Sequence, residues 1–280
     1  MARDAGRILA ERLGRTNQII HKGDINIVTE ADLAAERFII ERIQTHYPRH
    51  AVLAEESGAS TEQPGERSEW RWIIDPLDGT TNYSHGYPCF CVSIALEQAG
   101  QIVLGVIYDP LRDELFAAER GEGATLNERR IRVSQVDDLN QALLCTGFPY
   151  DVRERGDFAR HFVNFTMRAQ AVRRDGSAAL DLAYVACGRF DGFWEDYCKP
   201  PLDSPPSHTR ADTADVRINS VDNLSGLKPW DAAAGVLLIE EAGGRVSETD
   251  GSPFNVNTSD TILVVSNGLV HDEMIRVLAL

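Results

Sequence analysis

The chain has 280 residues, 43% of them hydrophobic, enough for one large core or two fused lobes. Its 43 Asp plus Glu against 28 Lys plus Arg leave a formal charge of −15, which argues against general nucleic-acid binding, where a basic face is needed. Five cysteines without a paired framework, no apolar leader in residues 1–15 and no stretch of membrane-spanning length point to a reducing, cytoplasmic setting without membrane contact.

The first predicted helix covers residues 2–13, with Ile8, Leu9 and Leu13 on one side. The second covers 30–45; Thr29 is placed as its N-cap, Pro48 follows its end, and Leu33, Phe38, Ile39, Ile40 and Ile43 are its apolar positions. Residues Ala51–Ala54 read as a short strand that delivers Glu55 and Glu56, and 70–74 as a buried strand. Strands at 90–96, 102–108, 115–118 and 131–133, separated by Ala99-Gly100, 110–113 and 121–123, predict an antiparallel meander. Cys89 and Cys91 alternate along its first strand and read as core residues. Gly121-Glu122-Gly123 does not lead into a helix, so it is not a dinucleotide loop.

Beyond residue 140 strands and helices alternate: strand 142–146, helix 158–168, strand 172–174, helix 177–187 and strand 190–194. Helix 230–242, stopped by Gly243-Gly244, is followed by strand 262–265 and a closing helix. Residues 196–226, with Pro200-Pro201 and Pro205-Pro206, read as a long irregular loop or partly disordered insert. A meander followed by alternation predicts a layered protein with two sheets.

The densest string is Asp75-Pro76-Leu77-Asp78-Gly79-Thr80-Thr81-Asn82, echoed downstream by Trp230-Asp231-Ala232-Ala233-Ala234-Gly235. Two carboxylates three residues apart at a strand end suit a hard divalent cation, and a following helix start offers N–H groups to a phosphate. Glu55, which follows the short strand 51–54, and Asp231, at a helix start, are considered together with Asp75 and Asp78. Each also has an ordinary reading. Asp231 could stabilise a helix dipole, and Asp78 could be a turn residue. Asp32, three residues after Thr29, fits a capping box, and Ser177 fits an N-cap.

These strings, with Glu55-Glu56-Ser57, Val28-Thr29-Glu30-Ala31-Asp32 and Gly176-Ser177-Ala178-Ala179, resemble the signatures of the inositol monophosphatase family of metal-dependent sugar phosphatases over nearly the whole chain. The resemblance implies an α+β layered sandwich of the αβαβα, fructose-1,6-bisphosphatase-like kind. Its N-terminal sheet would be antiparallel and its second sheet mixed, within a single catalytic unit of two lobes at about 1–140 and 141–280. It implies two to three Mg²⁺ ions: one on Glu55, Asp75 and the Leu77 carbonyl, a second on Asp75, Asp78 and Asp231, and a third placed by Glu55. Thr80, oriented by Asp32 and assisted by Glu55, would activate water. Asp78, Gly79, Thr80, Ser177, Ala178, Glu195 and Asp231 would contact substrate, and Lys22 would belong to a mobile loop at the metals. His85 receives no role.

The implied reaction is hydrolysis of inositol 1-phosphate, or of a related small polyol or sugar phosphate, by direct attack of water. Lithium would inhibit, and the protein would be a homodimer. Other family substrates are fructose 1,6-bisphosphate, histidinol phosphate, nucleotide 3′-phosphates and NADP; the alternative from another class is a catalytically weak, metal-gated regulator. The chain departs from the family between Glu195 and Asp231, where about 30 extra residues form the 196–226 insert, longer than ordinary loops.

Overall fold

A computed structural model of the chain describes residues 1–14, 19–21, 27–58, 68–148, 156–198 and 226–280. Lys22 and residues 199–225, the bulk of the predicted insert, lie outside the described residues. The chain opens with α1 (Ala2–Arg12), the antiparallel pair β1 (Ile19–His21) and β2 (Ile27–Thr29), and α2 (Glu30–His46). Next come β3 (Ala51–Ala54), β4 (Trp70–Asp78), the short α3 (Thr80–Ser84), β5 (Cys91–Gln98), β6 (Gln101–Asp109), β7 (Glu114–Glu119), β8 (Gly123–Leu126) and β9 (Arg129–Arg130). Strands β3 to β9 form one 7-stranded sheet in sequence order, antiparallel except for the β3–β4 pair.

The second half comprises β10 (Leu143–Thr146), α4 (Gly156–Thr166), β11 (Ala171–Arg173), α5 (Ala178–Ala186), β12 (Gly192–Asp196), α6 (Pro229–Glu241), β13 (Arg245–Ser247), β14 (Ile262–Ser266) and α7 (His271–Leu278). Its 5-stranded sheet is mixed, ordered β11-β10-β12-β14-β13, with β11, β10 and β12 parallel and β14 antiparallel to both its neighbours. The two stems of the 199–225 segment lie side by side: Tyr197 bridges Leu227, and the Leu227 N–H donates to the Asp196 carbonyl at 2.7 Å.

Strand alternation explains the layering. In β4, Ile73 enters the core shared with α5 and α6, whereas Trp72 and Ile74 enter the core under α1 and α2. In β12, Phe193 faces that same central core and Trp194 the outer core with Phe165 and Met274. Both sheets are thus covered on both faces. Helices α5 and α6, buried along most of their length, form the middle layer, with α1/α2 and α4/α7 outside. This is the αβαβα sandwich implied by the sequence.

Besides the short strands β1, β2, β8, β9 and β13, which the sequence pattern does not mark, four details depart from expectation. The first sheet is not wholly antiparallel, because β3 pairs in parallel with β4. Strand β4 does not stop at Ile74 but runs on to Asp78. No strand covers 131–133: the Ile131 N–H still reaches the Ala124 carbonyl, but the chain then leaves the sheet and the Val133 N–H donates to Ala242 at the end of α6. Leu33 is exposed, because the buried face of α2 is Ala31, Asp32, Ala35, Glu36, Ile39 and Ile43, a face that includes two carboxylates.

Candidate active site

The site is built at the end of β4. Strand side chains alternate, so Asp75 and Asp78, three apart, would face opposite sides of a regular strand. A bulge prevents this. Asp75 pairs with Ser93 and Asp78 with Cys91, so three steps on β4 match two on β5. Pro76, with no N–H to donate, sits inside the irregularity. Both carboxylates then face the central layer while Leu77 is buried on the α1/α2 side. The Leu77 N–H donates to Asp75 Oδ1 at 2.9 Å and holds the bulge.

Asp231 enters from the first turn of α6, where the Lys228 N–H donates to its Oδ2 at 2.6 Å. Asp75, Asp78 and Asp231 each offer an oxygen within 4.8 Å of the others. Glu55, one residue beyond β3, lies beside Asp75. Burial, then the neighbouring charges of Glu55, Asp78 and Asp231, push the Asp75 carboxyl well above the usual range. Burial, then Asp78, pushes Asp231 up to about 7. Burial also raises Asp78, opposed by hydrogen bonds from Ser177 and Ala179. A buried cluster of like charge that offers only oxygen donors fits a hard divalent cation.

Asp32 and Thr80 meet beside this cluster. Asp32 Oδ2 accepts the Thr29 N–H at 2.9 Å, the return arm of the predicted capping box, and also the Thr29 hydroxyl at 2.5 Å. Its other oxygen, Oδ1, accepts the Thr80 hydroxyl at 3.1 Å. The Leu77 carbonyl lies 3.0 Å from the same hydroxyl. Capping and contact with Thr80 therefore coexist, one oxygen each. Gly79 takes φ +96°, and a Cβ there would come within 2.9 Å of the Cys89 carbonyl.

Ser177 occupies the N-cap position of α5 but makes no capping bond; its hydroxyl donates to Asp78 Oδ2 at 2.5 Å, joined by the Ala179 N–H at 2.8 Å. The backbone of Ala178 belongs to the same helix start that binds Asp78. Glu195, at the end of β12, is buried with its Oε2 lacking a hydrogen-bond partner among the described residues. Burial, then Asp231 and Asp78, raises its carboxyl well above the usual range. Two supporting residues escaped the sequence reading. Cys91, read only as core, lies 3.7 Å from Asp78 Oδ2. The Asn82 amide donates to the carbonyls of Cys89 and Asp175 at 2.8 and 2.7 Å and ties the turn before α5 to α3. Asn82 ends the quoted signature, and that position was its only sequence signal.

The model of the inositol monophosphatase family matches residues 1–201 and 210–279. A protein named inositol-1-monophosphatase from Synechocystis is 42% identical over 98% of this chain and 85% of its own length. One named Nus factor SuhB from Pseudomonas aeruginosa is 41% identical over 90% of this chain and 83% of its own. The solved inositol monophosphatase from Anabaena superposes with a TM-score of 0.79 at 43% identity, covering 99% of this chain and 92% of that one.

Proposed function

The chain belongs to the inositol monophosphatase family and is a phosphoric monoester hydrolase, and within that activity we propose that it takes inositol 1-phosphate, or a related small polyol or sugar monophosphate, on a magnesium site made by Glu55, Asp75, the Leu77 carbonyl, Asp78 and Asp231. The observation that carries this reading is the convergence of the Asp75, Asp78 and Asp231 oxygens next to the Thr80–Asp32 pair. Two to three magnesium ions held there would neutralise the phosphate dianion and lower the pKa of water.

The chain's own groups supply the rest. Thr80 shares its single hydroxyl proton between Asp32 and the Leu77 carbonyl and keeps its lone pairs for the hydrogen of an incoming water, which fixes that water's orientation. Glu55 stands by as the proton acceptor. The N–H groups of Gly79 and Thr80 would donate to the phosphate, where Gly79 has no side chain to obstruct it. Ser177 and Ala178, read as substrate contacts, also hold Asp78: the Ser177 hydroxyl and the Ala179 N–H bond its Oδ2, and the Ala178 backbone bonds the same carboxylate. The unpartnered Glu195 oxygen is an acceptor suited to the hydroxyls of a polyol.

Phosphate release from a panel of phosphomonoesters, with and without Mg²⁺, tests the reading. The expected result is magnesium-dependent release from inositol 1-phosphate, inhibited by lithium. No turnover of any ester would overturn it and favour a regulatory role of the kind named in the Nus factor relative, which is 41% identical. A cytoplasmic homodimer belongs to the same reading, and light scattering checks the oligomer. Among the described residues no helix is long and apolar enough to cross a membrane.

A further inference from the structure

The turn that carries Glu55 is held from an unexpected side. Four consecutive backbone N–H groups are accounted for there. Those of Glu55 and Gly58 go to the strands, to the carbonyls of Ile74 at 3.1 Å and Ala54 at 3.0 Å. The two between them go to one carboxylate on another element: the Glu56 N–H donates to Glu36 Oε2 and the Ser57 N–H to Glu36 Oε1, both at 2.9 Å. Glu36 lies on α2, is only 4% exposed, and sits one helical turn beyond Asp32 on the same buried face. That single face thus reaches both arms of the site, Thr80 through Asp32 and Glu55 through Glu36.

A buried carboxylate is costly unless it is fully hydrogen-bonded. A fork that takes two successive N–H groups, one per oxygen, is a charge-assisted and geometrically specific contact. It fixes the peptide planes on the C-terminal side of Glu55, while the strand bond from the Glu55 N–H fixes the other side. With both of its oxygens engaged, Glu36 acts on the loop rather than as one more ligand.

We propose that Glu36 is a positioning residue that presets the Glu55 turn for cation binding, so that it governs magnesium affinity more than turnover. The inference rests on the reading of Glu55 as a metal ligand. In Glu36→Gln, an amide keeps the size of the side chain but replaces one acceptor by a donor that faces a donor. Calorimetric titration of the full chain with Mg²⁺, without substrate, should show affinity weakened by about ten- to a hundredfold, the usual cost of losing a residue that orients a ligand. In kinetics, the magnesium concentration for half-activation should rise by more than turnover at saturating magnesium falls.

Glu55→Gln serves as the control. Magnesium affinity within twofold of wild type in Glu36→Gln, with Glu55→Gln weakened, overturns the inference and leaves the metal reading standing. Wild-type affinity in Glu55→Gln overturns the metal reading itself. Should Glu36→Gln not fold, wild-type protein still decides, because coupling is reciprocal: saturating Mg²⁺ should slow hydrogen exchange at the Glu56 and Ser57 amides, and unchanged exchange there overturns the inference.

Discussion

At the scale of single residues the site works by dividing each carboxylate in two. Asp32 gives Oδ2 to its own helix start and Oδ1 to Thr80. Asp78 gives Oδ2 to the Ser177 hydroxyl and to the Ala179 N–H at the start of α5. Asp78→Asn can keep the first half, with its carbonyl oxygen in place of Oδ2, but it turns an amide nitrogen toward the site. Turnover should fall at least about a hundredfold with the fold intact, since an amide supplies no charge to a shared cation; a steady-state assay at saturating Mg²⁺ with circular dichroism as control checks this. Thr80→Ala removes the hydroxyl that Asp32 orients and should cost about 10²–10⁴ in turnover, the range for a lost proton-handling group. Thr80→Ser restores the hydroxyl and should recover most of the rate.

At the scale of elements, the starts of α2, α5 and α6 each supply a group beside the end of β4: Asp32 to Thr80, the Ala179 N–H to Asp78, and Asp231 itself. The turn into α3 depends on Gly79, whose φ of +96° and contact with the Cys89 and Gly176 carbonyls leave no room for a side chain. Gly79→Ala should destabilise the protein by about 1–3 kcal/mol in denaturant titration, through a strained residue that its surroundings no longer tolerate. Away from the site, His271 at the start of α7 joins β13 to β14 through the hydroxyls of Ser247 and Ser266, at 2.8 and 2.9 Å. Burial, then Arg245, lowers its pKa from 6.5 to about 4. Above pH 6.5 folded and unfolded forms are both neutral there, and the stability is fully present. As pH falls from 6.5 to about 4 only the unfolded chain gains the proton, so stability is lost across that window. Denaturation midpoints at pH 7.5 and 4.5 should show a smaller loss in His271→Gln than in wild type.

At the scale of the molecule, the acidic cluster is shared between the two halves of the chain: Asp75 and Asp78 come from the first sheet, Asp231 from the middle helix layer. Like charges held together there oppose folding, and a cation bound among them would neutralise them. Magnesium at a hundredfold excess over its dissociation constant should stabilise the fold by about 2.7 kcal/mol. Thermal unfolding should therefore shift upward with Mg²⁺ and back with EDTA. Asp231→Asn should raise the melting temperature of the metal-free protein and abolish most of the magnesium increment.

Much of this was legible in the residues alone. Local pattern located α1, α2, α5, α6 and most strands, because apolar periodicity and turn residues act over a few positions. The signature strings put Glu55, Asp75, Asp78 and Asp231 forward as a set through their resemblance to a family, and the structure brings the Asp75, Asp78 and Asp231 oxygens together. What only the tertiary structure decided depends on contacts between distant segments. The bulge that turns Asp75 and Asp78 to one side is a matter of register against β5. The parallel pairing of β3 with β4 is a choice of neighbour. Whether Ser177 caps its own helix or anchors Asp78 follows from what lies opposite it. The burial of Asp32 and Glu36 on α2 runs against hydrophobic pattern, and it is tolerated because Thr29, Thr80 and the Glu55 turn bring the donors those carboxylates need.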